Sequence, residues 1–177
     1  MNLSVRPCNI PPGSAIHPHL AGAYFHDCHT VDVPGPARSA LGYFLVAVAQ
    51  TPRWVNALMA LRNQTVRLVG IKDLGHLGNI DPSKPACAYV PGDRVGIFTL
   101  ISNTDNEVLL GDHDKHLHVV LSVRKQPAGS AGVASLAVTT VVHVHNLLGR
   151  LYMLPVTPLH KLIAPAVLSR LGTPGTL

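Results

Sequence analysis

Histidine is the residue whose chemistry stands out: there are eleven in 177 residues, and they are densest in "DHDKHLHVVLSVRK" (112–125). In an extended chain, residues two apart share a face. His116, His118, Val120 and Ser122 therefore point one way, and Leu117, Val119, Leu121 and Val123 the other. The run 135–146 behaves alike, with Thr139, Val141, His143 and His145 opposite Val138, Val142 and Val144. A hairpin centred on Ser130 and Ala131 sets His116 against His145 and His118 against His143. Cross-strand Cβ atoms lie ~5 Å apart, so four imidazoles could supply the nitrogen ligands of a tetrahedral zinc. The plainer reading is a polar strand face carrying neutral imidazoles, in a register only loosely held by a long glycine-containing loop. Asp114 is the only carboxylate close enough in sequence to orient a ligating histidine. The plainer reading is preferred, and neither metal nor cofactor is expected.

Other chemistry-bearing residues are more scattered. In "HDCH" (26–29), His26 and His29 fall on opposite faces of a strand, so only His26 with Cys28 or Asp27 with His29 could share a ligand. Cys28 has no motif that would make it a nucleophile, and Cys87 has no better claim. The segment "HVHNLLGRLYMLPVTPLHK" (143–161) interrupts an apolar stretch with His145, Asn146, Arg150, Tyr152 and His160. Asn146 suits a helix cap, and Arg150 and Tyr152 can bury stems while keeping their tips wet. The same groups suit the mouth of an apolar cavity, where a few hydrogen-bonding side chains orient a ligand. No Gly-rich phosphate loop, GxSxG or paired-acid motif is present, and "GIKDLGHLG" does not run from strand to helix as a dinucleotide fingerprint must.

Composition narrows the classes. Apolar residues make up 47% of the chain and charged residues 13%, which excludes disorder and leaves much apolar surface to be hidden. The formal net charge is +5, but the basic residues form no run and no aromatic-interleaved stripe, so no nucleic-acid partner is expected. Three cysteines without a CxxC spacing, and no basic start followed by an apolar run, lead to the expectation of a reducing cytoplasm. His160 and Lys161 divide the most apolar region, so no transmembrane segment is expected. The composition leaves a homo-oligomer open.

The elements that must position these residues follow from periodicity. Residues 1–24 carry four prolines and no period, and read as an arm or tail outside the core. A strand over 25–33 stops at Pro34 and Pro36, and Ser39 suits the cap of a helix over 39–51. A second helix begins at Pro52 and runs to 71, with Val55, Leu58, Met59, Arg62, Val66 and Val69 as its stripe. The aperiodic stretch 72–92 reads as a lid or binding loop. Four β-rich runs follow, over 93–103, 106–112, 115–125 and 135–146, joined by short turns as in an antiparallel meander. The stretch 147–171 has helical spacing, with Pro155, Pro158 and Pro165 expected to kink or divide it. The expectation is one α+β domain over 25–172, between the arm and a tail over 173–177: a curved antiparallel sheet, two short helices after the first strand, and a C-terminal helix covering the apolar face.

"TPRWVNALMALRN" (51–63), "DRVGIFTLISNTDNEVLLGDHDKHLHVVLSV" (93–123) and "TTVVHVHNLLGRLYMLPVTPLHKLI" (139–163) resemble the bacterial domain-of-unknown-function family DUF2867. Through it the chain resembles the START-like (SRPBCC) helix-grip superfamily, which includes polyketide cyclases and lipid-transfer domains. The resemblance covers nearly all of the chain after the arm. It includes Trp54, Arg62, Asn63, Asp114, His116, His145, Asn146, Gly149, Arg150, Tyr152 and His160. Position 118 is often acidic in that pattern and position 143 varies, which keeps His116 with His145 and weakens the four-histidine site formed with His118 and His143. The resemblance implies a helix-grip fold with a pocket between sheet and C-terminal helix; it implies no activity.

The leading expectation is a binding module for a small apolar or lipid-like molecule, with Arg62, His116, His145, Asn146, Arg150, Tyr152 and His160 as candidate polar contacts. Alternation raises one objection: a pocket on the Leu117 face excludes His116 unless the sheet is bent or covered on both sides. The enzyme alternative is a cyclase- or hydrolase-like activity with His116 or His145 as general base. A third reading is an interaction domain that presents its apolar C-terminal segment, with Arg150, Lys161 and Arg170, to a membrane or partner.

Overall fold

The structure, a computed structural model, describes residues 4–33, 37–68, 80–127 and 134–172, with side chains at 65–68 not described. The expected tail over 173–177, residues 72–79 of the expected lid, the helix positions Val66 and Val69 and the tip of the last hairpin lie outside that description. Seven strands form one antiparallel sheet. They are β1 (Val5–Pro7), β2 (Phe25–Asp32), β3 (Arg94–Val95), β4 (Phe98–Asn103), β5 (Glu107–His113), β6 (Leu117–Gln126) and β7 (Ser135–Val144). Their order is β1-β2-β7-β6-β5-β4-β3. The helices are α1 (Ala40–Ala49), α2 (Arg53–Leu68) and α3 (Leu147–Leu168). The result is an α+β protein with a curved antiparallel sheet and a C-terminal helix.

Local chemistry explains the boundaries. Ser39 is extended (φ −65°, ψ 160°) and its side chain accepts from the Gly42 amide, satisfying one of the amides that a helix start leaves free. Asn146 caps α3 in the same way, accepting from the Gly149 amide at 3.1 Å. The run expected as one strand over 93–103 is instead a tight hairpin, β3 to β4, because Gly96 takes φ +61° and turns the chain where a side chain would clash. The expected division of the last helix does not occur: α3 is continuous through Pro155, Pro158 and Pro165. A proline cannot bond the carbonyl four residues back. The three carbonyls so affected belong to Leu151, Leu154 and Lys161, all exposed residues, where water can satisfy them.

The hairpin register follows the expectation. Leu117 pairs with Val144 and His118 with His143, and the His145 amide donates to the His116 carbonyl at 2.9 Å.

One face of the sheet is covered by the helices. Val31, Val108, Leu110, Val123 and Leu136 pack there against Leu41, Phe44 and Val48 of α1 and Leu168 of α3. Ala47, Val55 and Val167 join the three helices to one another. The other face is covered by the N-terminal arm, contrary to the expectation that these residues stay outside the core. Ile16 is fully buried against Leu109, Val120 and Val141, flanked by Ile10, Leu20 and Ala23. The arm also contributes β1, which pairs with β2. The sheet is covered on both sides, but by different partners: the arm covers the histidine-bearing face and the helices the Leu117 face, so the objection raised by alternation stands.

Candidate functional site

Between the sheet and the helical layer lies a cavity of about 310 Å³. Its floor is the apolar alternation of β6 and β7: Leu117, Val119, Leu121 and Val123 from one strand, Leu136, Val138, Thr140 and Val142 from the other. Its roof comes from α1, α2 and α3, including Phe44, Leu58, Met59, Met153, Val156 and Ile163. The helical period turns these residues inward, which is how the sequence opens an apolar space rather than a polar cleft.

A few polar groups interrupt the wall. Arg62 of α2 donates from Nε to the Tyr152 hydroxyl of α3 at 3.0 Å and from a terminal nitrogen to Asn63 Oδ1 at 2.9 Å, with its guanidinium 5.5 Å from the centre of the Tyr152 ring. This pair ties α2 to α3 across the cavity. His160, whose ring stands nearly perpendicular to that of Phe25 with centroids 5.6 Å apart, places Nε2 3.1 Å and 3.3 Å from the two carboxylate oxygens of Asp27. Asp27 lies on β2 beside Thr140 of β7; His160 and Thr140 line the cavity, and Asp27 is the partner of His160 without lining it. Asp112 and Asp114 complete the polar lining. Asp114 Oδ1 accepts from the amides of His116 and Leu117 at 2.6 and 2.8 Å, forming the turn that starts β6.

Of the candidate contacts drawn from sequence, Arg62, Tyr152 and His160 line the cavity, whereas His116, His145, Asn146 and Arg150 do not. His116 is 8% exposed and its Nδ1 meets the Asn146 amide group at the start of α3. Among the described residues its Nε2 has no hydrogen-bond partner. His145 is exposed just beyond β7, and Arg150 is exposed on α3. Sequence reasoning left out Asp112 and Thr140 from the wall and Asp27 as the partner of His160. For Asp27 the only signal was its parity with His29 on one strand face, because its partner is 133 residues away.

The histidine face holds a different cluster from the one expected. His118 stacks on His143 with ring centroids 5.9 Å apart, lies 5.2 Å from His113 and 6.5 Å from His19, and His113 is 5.6 Å from His145. His116 is occupied elsewhere, and His113 and the arm's His19 take part instead. His143 donates from Nε2 to the His19 carbonyl at 2.8 Å. Burial, then the neighbouring His113, His143, His19 and His145, hold His118 below the ordinary histidine value. Among the described residues no three His, Cys, Asp or Glu side chains are grouped to hold a metal ion.

On the same face Glu107 is buried and receives hydrogen bonds from Ser14, Ser122, the Ala15 amide and Arg124. Burial alone would raise its pKa, but these donors outweigh it and the carboxyl stays below its ordinary value. Cys8 and Cys28 face each other with sulfurs 2.9 Å apart. Burial and the neighbouring Cys28 push the Cys8 thiol up to about 12.

The architecture and cavity thus define an α+β protein with an apolar chamber under a helical lid and a polar rim at two points. The chain belongs to the family described as protein of unknown function (DUF2867), whose model matches residues 19–167. No curated protein and no solved structure matches it.

Proposed function

We propose that the cavity binds a small apolar or lipid-like molecule whose polar end lies at Arg62–Tyr152 or at His160–Asp27. One observation carries this reading: an internal space of about 310 Å³ with predominantly aliphatic walls and a few convergent polar groups. Binding sites for small ligands have this composition. Antiparallel sheet, C-terminal helix and intervening chamber are also the parts of a helix-grip, START-like domain, which supports the same assignment at the level of fold. A fluorescent fatty acid titrated into the untagged protein tests it. Saturation at one site, weakened at least tenfold in Leu121→Trp, which fills the chamber from its floor, is the expected result. Equal binding by both proteins, or none by the parent, overturns it.

A second reading draws on the His160–Asp27 contact. A carboxylate that orients an imidazole on a cavity wall is the arrangement of a general base. In a cyclase- or hydrolase-like reaction this role falls to His160, because neither His116 nor His145 reaches the cavity. Release of altered product from a co-purified ligand by the parent, and its loss in His160→Gln with binding retained, would favour it; unchanged turnover in that variant would remove it.

A further inference from the structure

The outer surface of the helical layer is apolar where a water-facing helix is ordinarily polar. On α3, Leu147, Leu151, Leu154 and Leu162 are 71%, 55%, 65% and 64% exposed, and Pro158 between them is exposed as well. Spacings of four, three, four and four residues put all five on one stripe. The opposite stripe, Met153, Val156, His160, Ile163 and Val167, is the one that lines the cavity. The helix is therefore apolar on both sides while only one side is covered. Trp54 on α2 adds a ring that is 45% exposed in the same layer.

Charge is distributed just as unevenly. None of the nine acidic residues of the chain falls within Ala40–Ala49, Arg53–Leu68 or Leu147–Leu168. The layer does expose Arg53, Arg150 and Lys161. Arg150 and Lys161 lie eleven residues, about three helical turns, apart and border the same side of the leucine stripe. An exposed aliphatic stripe, an aromatic ring and a border of cations without anions match an anionic bilayer surface, which takes apolar side chains at its interface and attracts cations within a Debye length.

By length and composition α3 continued to Leu171 is long and apolar enough to cross a membrane. Its own chemistry argues for lying flat instead. The carbonyls of Leu151, Leu154 and Lys161 lose their helical donors to Pro155, Pro158 and Pro165, and such groups are costly in hydrocarbon but satisfied in the wet headgroup region. The inner stripe is held over the cavity by the sheet as well.

We propose that α3 docks the protein shallowly on anionic lipid, leucine stripe downward and Arg150 and Lys161 at the headgroups. The inference stands on the outward faces of the helices and does not require the cavity to be occupied. It is tested by flotation of the untagged full-length protein with vesicles of phosphatidylcholine and phosphatidylglycerol in equal parts, against phosphatidylcholine alone. The protein is expected to float with the mixed vesicles and to be released by salt. The triple variant Leu151→Glu, Leu154→Glu, Leu162→Glu should lose binding, and Arg150→Gln, Lys161→Gln should weaken it roughly tenfold or more; thermal melts and fatty-acid titration of both variants should remain those of the parent. Failure of the parent to float, equal flotation with neutral vesicles, or undiminished flotation of both variants overturns the proposal. So does a parent that is dimeric and vesicle-free while the triple variant is monomeric, since a second copy would then be what covers the stripe.

Discussion

The two faces of the sheet are built from alternate residues of the same strands, yet they solve burial in different ways. Toward the helices β6 and β7 offer aliphatic side chains, with Thr140 the one hydroxyl among them on the cavity floor, and the covering layer leaves a chamber. Toward the arm the same strands offer Val120 and Val141, which enclose Ile16, together with Ser122, Arg124, Thr139 and the histidines, and hydrogen bonds to Glu107 complete the fit. Helices bring long apolar stripes and can cover a sheet by area alone. A proline-rich arm brings few apolar groups, so specific polar contacts must fix it in place. Tight attachment thus belongs to the irregular side and open space to the regular one.

The comparison can be broken at its firmest point first. Glu107→Ala strips the shared acceptor from Ser14, Ser122 and Arg124. It should cost about 2–4 kcal/mol in chemical denaturation, because Ser14 and Ser122 lose a buried acceptor while the half-buried Arg124 can turn to water, and should make the arm accessible to protease. A loss below about 1 kcal/mol would mean the clasp is solvated and the arm is held by other contacts. Ile16→Ala comes next, at about 2–4 kcal/mol, because Ile16 is fully enclosed. Leu121→Ala, which borders the chamber, should cost less than Ile16→Ala in the same assay. Equal costs would show the two faces to be equally well packed.

A pH titration sharpens the contrast further. His118 has its folded pKa below the ordinary 6.5, so unfolding takes up protons in that window. The associated stability is complete above 6.5 and is lost as pH falls through the folded value. The thermal midpoint should accordingly decline as pH falls below 6.5, and His118→Gln should flatten that decline. Glu107, held below its ordinary 4.5, adds a separate loss at more acidic pH, as its carboxylate is protonated. A decline unaltered by His118→Gln would place the titrating group elsewhere. The smallest effect belongs to the chamber: Thr140→Val should shift stability by no more than about 1 kcal/mol and tighten binding of a purely apolar probe.

Much of this arrangement was legible from the chain, for reasons of periodicity. Alternation assigned Leu117, Val119 and Leu121 to one face and His118 and Val120 to the other, and a hairpin centred on Ser130 and Ala131 gave the register that pairs His118 with His143. Ser39 and Asn146 announced the helix starts because capping is a local contact. What escaped was non-local. The arm has no period, and its burial rests on the enclosure of Ile16 and on Glu107, which local sequence marks only as a strand residue. Asp27 meets His160 only after β2 and α3 have packed. The position of His116 shows the limit of parity arguments: its strand neighbour His145 is opposite, as expected, but its side chain turns to Asn146 at the helix start instead of joining the imidazoles.

Gly149 lets the first turn of α3 lie close against the sheet. A Cβ at this position would stand 2.6 Å from the His116 carbonyl oxygen and 3.0 Å from Val144 Cγ1, so α3 and β6 meet there backbone to backbone. That same carbonyl accepts the His145 amide and is fixed in the ladder. The helix extends 22 residues, about 33 Å, over the sheet from that contact. A side chain at position 149 would lift its first turn, so the missing Cβ helps to set how low the helical roof lies over the start of the chamber.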